Sequence, residues 1–151
     1  MANQEWLRER GEKVIDPQTL QSLQQRMWDL GQRIGAPKDL LVVRKEASGV
    51  GDPYIDCDGK SFLYIVSERG TEFSRKVVSS EEELLHLLLS DAVSQMAWDY
   101  ELDHRVDGRD PRRIAFQKMI ELMDRLDPSW GAQMRAETEE ILLNAPYKDD
   151  I

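Results

Sequence analysis

The chain has 151 residues, 40% of them hydrophobic and 32% charged, with 29 acidic and 20 basic side chains and a formal net charge of −9. This length fits one domain over residues 1–151, and a chain of this size buries roughly 70% of its unfolded surface, so folding requires no disulfide or metal. We expect neither membrane insertion, because no apolar run approaches about 20 residues, nor nucleic-acid binding, because phosphates attract clustered basic side chains.

The first predicted element is an N-terminal helix that follows a polar and loosely held segment over residues 1–16. Asp16 is the expected N-cap and Pro17 the first helical residue, whereas Gly35 and Pro37 end the helix. Apolar residues recur between these signals at helical spacing: Leu20, Leu23, Met27, Leu30 and Ile34.

Four short strands are predicted next, over residues 40–43, 54–57, 62–66 and 73–78. Asp58 with Gly59, and Arg69 with Gly70, form the expected tight turns on either side of the third strand, so these neighbours are antiparallel. Because the third strand is apolar on both faces, we expect it to be central in the sheet and covered by helices.

Three helices are predicted after Ser79. The first starts at a capping box over residues 79–83 and ends near Leu102, the second runs from Asp110 to Leu126, and the third runs from Asp127 to Asn144. An N-terminal helix, an antiparallel sheet of about four strands and three C-terminal helices packed on the sheet together make an α+β fold.

The negative charge belongs to the helical half of the chain. Residues 1–78 carry 12 basic and 12 acidic side chains, whereas residues 79–151 carry 8 basic and 17 acidic ones. Such asymmetry indicates a surface for a basic partner, although solvated helix faces also tolerate acidic residues. The candidate partner-binding residues are exposed carboxylates of this half: Glu83, Glu101, Asp103 and Asp107.

Several other charges fall on helix faces that a helical projection predicts to be buried. Asp91 and Asp99 lie within a broad apolar arc of the first C-terminal helix, and Arg112 projects into the apolar face of the second. An unpaired buried charge costs about 3 to 5 kcal/mol, so we expect Arg112, together with Arg105 or Arg113, to form internal ion pairs with Asp99 or Asp91. The projection leaves a narrow stripe for solvent: Glu83, His86, Ser90, Ser94, Ala97 and Glu101.

Motifs for catalysis, metals and cofactors are weak or missing. Glu101 and His104 make one Glu-x-x-His motif, whereas a di-iron bundle needs two. The glycines of residues 48–51 are followed by no lysine of the kind that binds phosphate. The single cysteine, Cys57, forms no intramolecular disulfide, and no secretory signal is visible. We therefore expect no cofactor, no metal and a cytoplasmic location.

The second half of the chain also resembles a known family. The similarity rests on residues 64–70, 98–116, 121–130, 139–142 and 145–150, with Tyr-Glu-Leu, Arg-Val-x-Gly, Arg-Arg-x-x-Phe and Pro-x-Trp elements. These resemble the immunity protein 63 family of bacterial polymorphic toxin systems, from whose Pro-Phe-Asp-Asp type ending Pro146-Tyr-Lys-Asp-Asp departs. The resemblance implies a small cytoplasmic protein that binds and blocks a cognate toxin domain, and it carries over no catalytic residue.

Three functions stay open on this basis. The first is a non-catalytic inhibitor of a basic toxin domain, for which a nuclease with a basic substrate channel is one fitting partner. The second is an enzyme of unknown reaction built around Asp91, Asp99 and Arg112 in a cleft. The third is an interaction domain with no toxin involved. The sequence does not indicate an oligomeric state.

Overall fold

The structure, a computed structural model, describes residues 15–57 and 61–150. Within these ranges the α+β class is confirmed, with one helix before an antiparallel sheet and three helices after it. Most of the segment predicted to be loosely held, residues 1–14, lies outside the described residues. The elements in chain order are α1 (Pro17–Gln32), a 3₁₀ helix (Lys38–Leu41), β1 (Tyr54–Cys57), β2 (Phe62–Glu68), β3 (Thr71–Val78), α2 (Glu81–Asp103), α3 (Arg112–Leu126) and α4 (Pro128–Asn144).

The helices α1, α2 and α4 begin at the capping signals of the sequence, whereas α3 begins at Arg112 with Pro111 in the N-cap position predicted for Asp110. The Asp16 carbonyl accepts a backbone hydrogen bond from the first turn of α1 at 2.9 Å. The Ser80 hydroxyl accepts the Glu83 N–H at 3.1 Å at the start of α2, and the Asp127 side chain accepts an N–H of α4 at 2.8 Å. The Asp16 carbonyl thus accepts the first backbone bond of α1, whereas the Ser80 and Asp127 side chains each satisfy a donor that the helix itself leaves free. The predicted starts of α1, α2 and α4 are therefore confirmed.

The sheet has three strands in the described residues, in the order β1-β2-β3, and both pairings are antiparallel. Arg69 and Gly70 join β2 to β3 with φ angles of 52° and 81°. Positive φ at both central residues is what a type I′ hairpin turn requires, so this predicted turn is confirmed. The other predicted turn, Asp58 with Gly59, lies outside the described residues.

The predicted strand over residues 40–43 is wrong, because this stretch begins as the end of the 3₁₀ helix and joins no sheet. The Gln24 side chain of α1 donates to the Leu41 carbonyl and accepts the Val43 N–H, both at 2.8 Å. One glutamine thus provides the backbone hydrogen bonds that a neighbouring strand would otherwise supply. Two backbone groups of this apolar segment are therefore hydrogen-bonded although the segment belongs to no sheet.

The described residues form two compact units. One contains residues 15–28, 41–57 and 61–88, and the other contains residues 29–40 and 89–150. The packing of the three C-terminal helices on the sheet therefore stays a prediction, as does the single domain. No helix in the described ranges has the length and apolarity needed to cross a membrane. The core of the second unit includes fully or almost fully buried side chains from α2 and α3: Leu89, Val93, Leu122 and Met123.

Candidate partner-binding surface

One row of buried side chains runs along α2 from Leu89 toward its C-terminal end. Leu89, Val93, Ala97 and Glu101 follow one another at four-residue spacing, and each is 0% exposed. Residues four apart lie one above the other on a helix, so this row faces the core. The predicted solvent stripe is wrong here, because it included Ala97 and Glu101. Its error comes from averaging over the leucine-rich start of the helix, where the buried face is wider.

Glu101 is consequently a buried carboxylate, and its prediction as an exposed partner-binding residue is wrong. Its two oxygens accept hydrogen bonds from Nε and Nη2 of Arg105, at 2.9 and 3.1 Å. The hydrogen bond with Glu101 raises the pKa of Arg105. The Arg105 side chain is 54% exposed, so a guanidinium at the surface neutralises the buried charge.

Arg112 binds Asp110, which was not among its predicted partners. Arg112 Nη2 donates to Asp110 Oδ2 at 2.8 Å, and the guanidinium also donates to the carbonyl oxygens of Ala145 and Pro146 at 2.9 Å. Asp110 lies just before α3, where its carboxylate also accepts the Arg112 N–H at 3.0 Å. The hydrogen bonds from Arg112, followed by that from the Lys148 N–H, hold the pKa of Asp110 well below its usual range.

The residues of the predicted ion-pair network are thus distributed over separate contacts. Arg113 Nη2 donates to Asp149 at 2.8 Å, as Arg105 does to Glu101. Asp99 is exposed, and Asp91 is half-buried and accepts a hydrogen bond from Gln95 at 3.0 Å. The enzyme alternative requires a cleft that brings Asp91, Asp99 and Arg112 together. The Arg112 guanidinium is instead hydrogen-bonded to Asp110 and to backbone carbonyls.

Asp149 fastens the segment after α4 to the start of α3. Its carboxylate accepts from Arg113 at 2.8 Å, from Arg109 at 3.2 Å and from the Asp110 N–H at 2.8 Å. The Arg113 guanidinium also lies 4.3 Å from the centroid of the Tyr147 ring. The hydrogen bond from the Asp110 N–H and the charges of both arginines lower the pKa of Asp149. Arg112, Arg113 and their carboxylates therefore have a structural role in holding the C-terminal segment.

Three aspartates around the end of α2 are exposed and form no ion pair among the described residues: Asp99, Asp103 and Asp107. Glu83, the remaining predicted partner-binding residue, is half-buried at the start of α2, where the Ser79 hydroxyl donates to it at 3.5 Å. Partner binding by Glu83, Asp103 and Asp107 stays a prediction.

Exposed apolar side chains accompany these aspartates. Trp98 is 36% exposed, Leu102 is 61% exposed, and Val106, just beyond the helix, is 52% exposed. The helical projection placed Trp98 and Leu102 in the buried arc, and the structure exposes both because the core-facing row at this end of the helix is Ala97 and Glu101. Trp98 and Leu102 form an apolar pair beside the acidic pair of Asp99 and Asp103. Such an arrangement suits the binding of a protein better than it suits catalysis.

On another side of the same helix end, Tyr100 and His104 line a small polar hollow of about 170 Å³ together with residues of α3 that include Lys118 and Glu121. Their rings stack with centroids 3.9 Å apart, and Lys118 Nζ lies 4.4 Å from the Tyr100 centroid. In the part of the chain that the structure describes, no group of three or more His, Cys, Asp and Glu residues could hold a metal ion.

Comparison with known proteins gives one family match. The model of the immunity protein 63 family matches residues 58–140, which is more than half of the chain. The match contains β2, β3, α2, α3 and most of α4, and it excludes α1 and the fastened segment after α4. No curated protein and no solved structure matches the chain.

Proposed function

Because the chain belongs to the immunity protein 63 family, we propose that it binds a cognate bacterial toxin domain and neutralises it without catalysis. The family match over residues 58–140 is the observation that carries this proposal. The protein would act in the cytoplasm of the toxin-producing cell, where it would occupy the toxin before the toxin reaches its target.

The charge distribution supports a basic toxin surface as the partner. Arginines of the same half engage Glu101, Asp110 and Asp149, whereas Asp103 and Asp107 remain exposed to attract a partner. A negative patch of this kind accelerates association with a positively charged protein at low ionic strength. A nuclease with a basic substrate channel fits this description, and any other basic toxin domain would fit the charge equally well.

The test is co-expression of the chain with the product of the adjacent gene. The neighbouring protein alone should arrest growth, and co-expression should restore growth and give a complex that co-purifies. A toxin domain from an unrelated system serves as the control, since the chain should not protect against it. If the neighbour is toxic, and the folded chain gives neither protection nor a complex, the proposed function is wrong.

A further inference from the structure

We infer that the toxin is bound by the α2 end surface, which we define as Gln95, Trp98, Asp99, Leu102 and Asp103. This inference rests on the proposed function and names the site that performs it. The partner surface that fits carries lysine or arginine side chains. Their aliphatic stems would cover Trp98 and Leu102 while their charged heads reach Asp99 and Asp103.

The geometry of the helix places these groups in two parallel rows. Leu102 follows Trp98 by four residues, and Asp103 follows Asp99 by four, so each pair is spaced by about 6 Å along the axis. The apolar row and the acidic row lie about 100° apart around the helix. Among the described residues neither aspartate forms an ion pair, and all four side chains are exposed. The surface therefore offers apolar contact and negative charge within reach of one long basic side chain.

The acidic row is unfavourable for the isolated fold. Asp99 and Asp103 lie at the C-terminal end of α2, where the helix dipole repels negative charge, and the last turn contains no basic residue. Two like charges four residues apart on a helix also repel each other. Trp98 and Leu102 likewise expose apolar area to water. Since the acidic row and the exposed part of the apolar row do not stabilise the fold, a basic and partly apolar partner explains their presence together.

Two other exposed apolar sites fit a basic toxin less well. Ile141 and Leu143 at the end of α4 are exposed, but residues two apart on a helix do not share a face, and both lie outside the family match. Phe73 and Val77 are exposed on β3, but the charge of the neighbouring Arg75 is paired with Glu72, so this site offers no unpaired carboxylate of these residues to a basic partner. The α2 end surface lies entirely inside the family match and carries negative charge.

The experiment measures association and dissociation of the full chain with the purified toxin domain at several salt concentrations. The double variant Asp99→Asn with Asp103→Asn should slow association about tenfold at low salt and flatten its salt dependence. Trp98→Ala should accelerate dissociation about tenfold, because buried tryptophans dominate binding energy at interfaces. The matched control is Glu139→Gln with Glu140→Gln, which removes the same charge from α4 and should stay within about twofold of wild type.

Folding of each variant is checked by its unfolding midpoint. If Trp98→Ala lowers the midpoint, Leu102→Ala provides the same test at a more exposed position. If the wild-type chain binds the toxin and both the double aspartate variant and the apolar variants bind it with unchanged kinetics, the toxin binds elsewhere. The proposed function would then stand. A wild-type chain that neither binds nor protects overturns both the function and the surface.

Discussion

The two sides of the second half of α2 differ in what they contribute to the protein. Leu89, Val93 and Ala97 are completely buried on one side, whereas Trp98 and Asp99 are exposed on the other. The first side provides core contacts, and the second provides an apolar and acidic surface without a counter-charge among the described residues. Stability and recognition are therefore assigned to different faces of one helix, and point mutations should separate them.

The largest expected effect comes from truncating the buried row. Leu89→Ala should lower the free energy of unfolding by about 2 to 5 kcal/mol, because it removes apolar contacts and leaves a cavity. Leu102→Ala is the matched control on the same helix, and its exposed side chain predicts a change within about 0.5 kcal/mol. Urea unfolding followed by circular dichroism measures both. Equal losses in the free energy of unfolding would show that the two faces contribute equally to stability.

Features that depend only on neighbouring residues could be predicted from the sequence alone. Helix starts were predictable because capping is local, as with Asp16, Ser80 and Asp127, whose bonds reach only the following turn. The Arg69 and Gly70 turn was predictable for the same reason, since its two positive φ angles are a property of adjacent residues.

Contacts between distant parts of the chain were not predictable. The bonds from Gln24 to Leu41 and Val43 replaced a predicted strand, and they join residues 17 and 19 positions apart. At the candidate site, the projection predicted a buried Asp99 and an exposed Glu101, and the structure reverses both. The exposure of Trp98 and the burial of Glu101 depend on packing that a single-helix projection does not contain.

A smaller effect, dependent on pH, is expected at the cluster that holds the C-terminal segment. The pKa of Asp110 is lowered from its ordinary value of 3.8, chiefly by Arg112, so its carboxylate stabilises the fold above that pH. This contribution is lost as the pH falls through the lowered pKa of the folded state. Asp110→Asn should therefore lower the unfolding midpoint at pH 7, by less than Leu89→Ala does.

The difference in unfolding midpoint between Asp110→Asn and wild type should shrink as the pH is lowered from about 5 toward 2, because the unfolded wild-type chain takes up a proton at Asp110 in this range while the folded carboxylate keeps its charge. Thermal unfolding across this pH range measures the effect. Asp103→Asn is the control, because Asp103 is exposed and without an ion pair among the described residues, so this substitution should not lower the unfolding midpoint at pH 7. A constant difference at every pH would mean that the ion pair with Arg112 is not the source of the stabilisation.

The smallest expected effect has the opposite sign and concerns the acidic row. Replacing Asp99 and Asp103 together by asparagine should raise the free energy of unfolding by about 0.5 kcal/mol, since it removes like-charge repulsion at the negative end of the helix dipole. The gain should vanish in about 1 M salt, where charges are screened beyond about 3 Å. Urea unfolding at low and high salt measures both values. A loss of stability would show that these aspartates make favourable contacts within the fold, whereas a more stable protein that associates more slowly with toxin would show that their charge serves binding.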